Sequence, residues 1–287
     1  MQTYQPAKPS AAARVVAVTS GKGGVGKTNV SVNLAIALAQ MDRRVIVWDM
    51  DLGLANVDIL LNLKVDSNLS DVLAGHRTID EIIVTGPGGI QVVPGASGDE
   101  HLANLGDRAR HFLVRALEYV TEKADFLIID TGAGIAANTT QFTAAADDVI
   151  VVSTPEPTAM LDAYAMVKLV NKTGPQSTIH FLVNMARTHK EARHAMLSMI
   201  SIAEGFIGRH LEEEAFLLYD PAVGDAVRHR RPFVLTNPES EAAHAIRRVA
   251  EALVNAGPAA RTPLTQTEQG GFLHRLLHRL SGTSLHA

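Results

Sequence analysis

The sequence predicts a doubly wound α/β fold, a mostly parallel sheet with helices on both faces, and three observations lead there. Short apolar segments alternate with stretches of helical period along the chain. The apolar segments are nearly continuous instead of alternating with polar residues, as strands covered on both sides require. Polar and glycine-rich turns follow several of these segments, at the carboxyl strand ends where open α/β sheets hold their ligands.

Taken in order, Arg14–Thr19, Val45–Trp48, Ile90–Val93, Phe126–Ile129, Val149–Ser153, Ile179–Val183 and Phe216–Leu218 read as strands. Helical period appears over Asn29–Gln40, Arg108–Lys123, Thr158–Asn171, Arg187–Gly205 and Glu239–Asn255, with Thr158 placed to cap the third of these. Residues 1–13 read as a flexible polar arm and residues 14–255 as one folded domain. Residues 256–271, with Pro258 and Pro263, form a tether before an amphipathic helix and tail over 272–287.

With 287 residues, 46% of them hydrophobic, the chain can bury the core of a single large domain. A net charge near −4 gives no global attraction to nucleic acid. The absence of cysteine excludes disulfides and thiolate-held zinc or iron–sulfur centres, and fits a reducing compartment. No apolar run approaches the ~18 residues that span a bilayer, and the first residues lack a signal-peptide core, so the expectation is a protein neither secreted nor integral.

Gly21-Lys22-Gly23-Gly24-Val25-Gly26-Lys27-Thr28 satisfies G-x-x-x-x-G-K-[ST] between a predicted strand and a predicted helix. Glycines let the backbone curl until successive N–H groups face one cluster of phosphate oxygens at a helix N-terminus. Lys27 is expected to reach the β- and γ-phosphates and Thr28 to ligate Mg²⁺. Further on, Asp49 and Asp51 share one side of an extended strand end, suited to joint work beside a metal and a phosphate. A capped strand end with solvated aspartates is the plainer alternative. Phe126-Leu127-Ile128-Ile129 ends in Asp130-Thr131-Gly132-Ala133-Gly134, an apolar strand closed by a carboxylate and a glycine turn. Asp130 is expected to hold Mg²⁺ and the Gly134 N–H to sense the γ-phosphate, against the alternative of a buried aspartate capping a turn. Asn184 closes another strand with a donor and an acceptor for a purine edge, or is an ordinary turn asparagine.

Lys22 within the loop resembles the signature lysine of the deviant Walker A, or MinD/ParA, class of P-loop ATPases. The resemblance implies an ATP-dependent homodimer in which this lysine reaches the partner's phosphates, as an arginine finger does. It also implies that Asp51 positions the attacking water, that Asp49 supports Mg²⁺ through its water shell, and that Asn184 and the Asp220-Pro221 pair contact the base. Three segments resemble the FlhG (FleN or YlxH) group of that class over residues 14–255: Asp51-Leu52-Gly53-Leu54-Ala55-Asn56-Val57-Asp58, Asp130-Thr131-Gly132-Ala133-Gly134 and Thr154-Pro155-Glu156-Pro157-Thr158. The implied role is control of flagellar number or placement, with an FlhF-type GTPase, flagellar C-ring proteins or a flagellar transcription activator as partners. Residues 1–13 carry no Asp-Gln-Ala-x-x-Leu-Arg segment, so stimulation of an FlhF-type GTPase by that route is not implied.

Phe272-Leu273-His274-Arg275-Leu276-Leu277-His278-Arg279-Leu280, wound at ~100° per residue, puts Phe272, Leu273, Leu276, Leu277 and Leu280 on one side and the basic residues on the other. So short a helix orders only on a surface. That surface is either the protein's own core or, as the resemblance to the C-terminal targeting helix of MinD-like proteins implies, anionic lipid at the inner face of the cell membrane. A MinD-type septum ATPase and a ParA-type DNA-partitioning ATPase are the alternatives. The second would rest on the basic cluster Arg228-His229-Arg230-Arg231, which reads equally as a solvated helix face.

Overall fold

The computed structural model describes residues 13–51, 55–96, 107–256 and 271–280. Eight strands form one sheet: β1 (Arg14–Thr19), β2 (Val45–Met50), β3 (Val84–Thr85), β4 (Gln91–Val93), β5 (Phe126–Thr131), β6 (Asp148–Ser153), β7 (Thr178–Ala186) and β8 (Glu212–Leu218). Their order is β3-β4-β2-β5-β1-β6-β7-β8, parallel throughout except for the antiparallel β3. The helices are α1 (Lys27–Ala39), α2 (Val57–Leu61), α3 (Leu69–Leu73), α4 (Ile79–Ile82), α5 (Asp107–Lys123), α6 (Ala137–Ala145), α7 (Pro157–Thr173), α8 (His189–Ile207), α9 (Pro221–Arg228), α10 (Phe233–Thr236), α11 (Glu241–Asn255) and α12 (Phe272–Leu280).

Alternation along β1 divides the core. Val15 and Ala17 join one buried cluster with Leu117 of α5, Phe142 of α6 and Met166 of α7; Val16 and Val18 join the other with Leu34 of α1 and Ile246 of α11. Both faces of the sheet are covered, which is why the central strands are apolar on both of their sides over most of their length. α1 is buried continuously from Val30 to Leu38, wedged between sheet and α11. That burial fixes the height at which the loop before it meets a ligand.

Several boundaries moved for identifiable reasons. α7 starts at Pro157 with Glu156 as its N-cap instead of Thr158, because proline is preorganised for the first helical position. α8 starts at His189, where the Thr188 hydroxyl accepts from the Glu191 N–H at 3.1 Å, and α11 starts at Glu241 behind the Ser240 cap. β8 extends back to Glu212, held by its register with β7 and not by apolar residues. Helix α6 has no apolar period to announce it and is kept by the burial of Phe142.

Candidate functional site

β1 ends at the centre of the sheet, and the loop from Gly21 to Gly26 crosses its carboxyl end into α1. Gly24 and Gly26 take φ of 80° and 89°, the left-handed region open to glycine. Two glycines are also fixed by close approach. A Cβ on Gly21 would lie 2.2 Å from the Asp162 carbonyl oxygen of α7, and one on Gly26 would lie 2.4 Å from the Asn184 amide nitrogen. A Cβ on Gly23 would meet nothing within 4 Å, so that position faces open space.

Three donors converge on the fully buried Asp130. Lys27 Nζ lies 3.2 Å and Ser31 Oγ 2.7 Å from its Oδ1, while Thr28 Oγ1 lies 2.7 Å from its Oδ2. Across the ladder, Asp49 is its direct register partner and is equally buried. Asp49 accepts backbone N–H groups from Asp51 at 3.1 Å, Asn56 at 2.8 Å and Val57 at 3.0 Å. Burial, and secondarily the neighbouring Asp130, push its carboxyl up to about 7 in spite of those bonds.

Two buried carboxylates side by side with a threonine hydroxyl make a hard-oxygen donor set, which suits Mg²⁺. Among the described residues no cluster of three or more His, Cys, Asp or Glu could cage a metal. Mg²⁺ keeps water and phosphate oxygens in its shell and takes few protein ligands. Thr28 and Asp130 are the residues that would hold it, with Asp49 behind; bound there, Mg²⁺ supplies charge neutralisation to phosphate oxygens.

Other expected site residues stand in distinct places. A Cβ on Gly132 would come within 3.4 Å of Asp51 Oδ1, so the turn after β5 closes on that carboxylate; Leu52–Leu54 lie outside the described residues. Gly134 takes φ 82° and its N–H donates to the Ser20 carbonyl at 2.9 Å, instead of pointing into the phosphate site. Lys22 turns away from Lys27: its Nζ lies 3.3 Å from Glu156 Oε2 and 3.5 Å from Thr158 Oγ1, at the start of α7. Asn184 Nδ2 donates to the Val25 carbonyl at 2.8 Å and its Oδ1 accepts the Met185 N–H at 2.9 Å, so this amide braces the loop as well as facing the adjoining cavity. That cavity, about 280 Å³, is lined by Gly26, Asn184, Met185, Leu217, Tyr219 and Asp220 among others, a largely apolar slot of the kind a flat heterocycle fills. Asp220 caps α9 by accepting the Ala222 N–H at 2.8 Å, with Pro221 at the first helical position. The sequence reading missed Ser31 and Glu156. Ser31 could have been found from its position four residues after Lys27, on the same side of α1.

The C-terminal helix is seated on the opposite part of the domain, against α6 and α5. Phe272 and Leu276 are buried in the core cluster, Leu273 packs at its margin and Leu277 is exposed. Arg275 is buried too. Its Nε donates to the Ala145 carbonyl at 2.8 Å, at the carboxyl end of α6, and its Nη2 pairs with Asp147 Oδ1 at 2.8 Å. Arg279 donates to the Thr173 carbonyl. The side chain of Leu280, also expected on the membrane face, lies outside the described residues, as do the arm before Ala13 and the tether over 257–270.

A family described as an AAA domain matches residues 13–181. The antiactivator FleN of Pseudomonas aeruginosa is 38% identical over 95% of this chain and 96% of its own length. The flagellum site-determining protein YlxH of Helicobacter pylori is 38% identical over 68% of this chain and 65% of its own. Among solved structures, the septum site-determining protein MinD of Pyrococcus horikoshii, complexed with Mg-ADP, superposes with a TM-score of 0.70. It is 27% identical over 86% of this chain and 98% of that one. Fold, phosphate loop and carboxylate pair thus define a P-loop ATPase of the MinD/ParA type, for which ATP and Mg²⁺ are the cofactors. Within that class the chain belongs to the FlhG family of flagellar regulators, the family of FleN and YlxH.

Proposed function

We propose that this chain is a membrane-cycling ATPase switch that sets flagellar number or placement. In this reading the ATP form pairs two chains face to face, Lys22 leaves Glu156 for the partner's phosphates, and Asp51 orients the attacking water. Lys27 holds the β- and γ-phosphates, the slot beside Asn184 and Asp220-Pro221 takes the base, and slow hydrolysis ends the paired state. Residues 14–255 act as the ATPase unit and 256–271 as the tether. The amphipathic segment 272–287 lies against anionic lipid at the inner membrane face. An FlhF-type GTPase, a C-ring protein or a flagellar transcription activator reads the state.

One observation carries the reading. The strongly two-sided α12 is held by a contact set that can be exchanged: Phe272 and Leu276 sit in an apolar seat, and Arg275 is bound to α6, the helix that follows the turn around Gly134. Lipid offers the same two partners, an apolar layer and anionic headgroups. Membrane residence therefore requires α12 to leave its seat. Pairing would then present two such helices at once, making the second insertion intramolecular. A DNA-binding role is less well supported, because Arg228 is paired with Asp225 and Arg230 reaches Asn62, leaving the basic cluster partly committed within the chain.

Co-sedimentation with anionic liposomes tests this, using the full chain and a chain ending at Gly271, each with ADP and with a nonhydrolysable ATP analogue. The expected result is pelleting with the analogue only, lost on truncation. Absence of pelleting in every state would leave α12 as a packing element of the core.

A further inference from the structure

We propose that Ser31, which lies outside the phosphate-loop motif, is a positioning residue for Asp130 and thereby sets the affinity of the site for Mg²⁺. Asp130 has no exposure, and its carboxylate is held from α1 by the contacts of Lys27, Thr28 and Ser31. Two of those donors have other tasks once nucleotide is present. The lysine ammonium goes to phosphate oxygens and the threonine hydroxyl to the cation. Ser31 has no such task.

It is fully buried, one helical turn beyond Lys27, and its hydroxyl has two described acceptors: Asp130 Oδ1 at 2.7 Å and the Lys27 carbonyl at 3.1 Å. A hydroxyl carries one hydrogen, and the shorter, charge-assisted bond to the carboxylate takes it. When Lys27 and Thr28 turn to the nucleotide, Ser31 remains as the anchor of Oδ1. It keeps Oδ2 facing the position where Thr28 stands. Without that anchor the carboxylate is free to rotate beside Asp49, and the cation loses a preorganised ligand.

The test is binding of a fluorescent ADP to the full chain, titrated with free Mg²⁺ and repeated in excess chelator. ADP is the probe, so the outcome does not depend on pairing of chains or on lipid. Ser31→Ala is expected to raise the Mg²⁺ midpoint about tenfold, in keeping with loss of a hydrogen bond to a charged group. Its ADP affinity in chelator should stay within about twofold of the parent's, and Ser31→Thr, which keeps the hydroxyl, should hold the parent midpoint. An unchanged midpoint in Ser31→Ala overturns the assignment. So does an equal loss with and without Mg²⁺, which would report a distorted loop. A threonine variant shifted as far as alanine also overturns it, because packing and not the hydroxyl would then be at stake.

Discussion

Two buried cation–carboxylate pairs hold this molecule at different places, and they are built alike: Lys27 with Asp130 under the phosphate loop, and Arg275 with Asp147 under the C-terminal helix. Both basic side chains are 8% exposed. A buried pair of this kind adds little net stability, but removing one partner is costly, because it strands the other charge away from water. Such a contact therefore suits a place where one partner is to be exchanged for another. In the proposed cycle the replacement for Asp130 at Lys27 is phosphate, and the replacement for Asp147 at Arg275 is a lipid headgroup. The pairs differ in their surroundings. Asp130 also has hydroxyl donors from α1, whereas Arg275 adds a backbone carbonyl at the end of α6, so the first site is rigid around its anion and the second is tied to a helix end.

Breaking the first pair should have the largest effect. Lys27→Ala is expected to lower ATP affinity by 10²-fold or more and to cost about 3 kcal/mol of stability through the stranded Asp130, measured by calorimetry and by chemical unfolding. Next comes Asp51→Ala, expected to reduce kcat about 10²-fold while leaving nucleotide binding intact, and to trap the protein on liposomes with ATP. A variant that still cycles freely would remove Asp51 from the proposed hydrolysis step. Lys22→Gln sharpens the contrast between the two lysines: it should abolish ATP-dependent dimers in size-exclusion chromatography yet lower nucleotide affinity less than about tenfold.

Breaking the second pair through Asp147→Asn leaves α12 chemically unaltered, so any gain in binding reports its release. Pelleting with ADP should rise about tenfold. The smallest effect concerns a carboxylate beside that pair. Asp148 is pushed up by burial, but hydrogen bonds from His180 at 2.9 Å and Arg14 at 2.6 Å outweigh this and hold it below the usual carboxylate range. A depressed carboxyl adds stability above its unfolded pKa and loses it as pH falls through the folded value. The melting temperature should thus drop on acidification below about pH 4, and drop less steeply in Asp148→Asn.

The phosphate-loop end was largely legible because its chemistry is local: loop, carboxylates and flanking strands are each contiguous, and apolar runs mark the strands. What escaped was settled at a distance. That Lys22 rests on Glu156, that Asn184 braces Val25, and that Gly134 donates to Ser20 all depend on which loops the sheet order brings together. The alternation of α12 was plain from Phe272 to Leu280, but an apolar stripe does not name its partner, and the seat on α5 and α6 comes from elements over a hundred residues away. Short helices such as α3 and α9 were missed because side-chain caps mark them and they are too brief for a helical period to stand out.

The two outer strands bear on a different matter, how copies of this chain can meet. At one border the sheet stops in β3, two residues long and antiparallel, running into Pro87; at the other, β8 opens with the exposed Glu212. Brevity and charge are both means of discouraging strand addition from a neighbouring molecule. With both borders blunted, continuing the sheet from copy to copy is disfavoured, and the proposed pairing of two chains is left to surfaces made of loops and helices. Assembly can then stop at a closed pair instead of growing into a fibre.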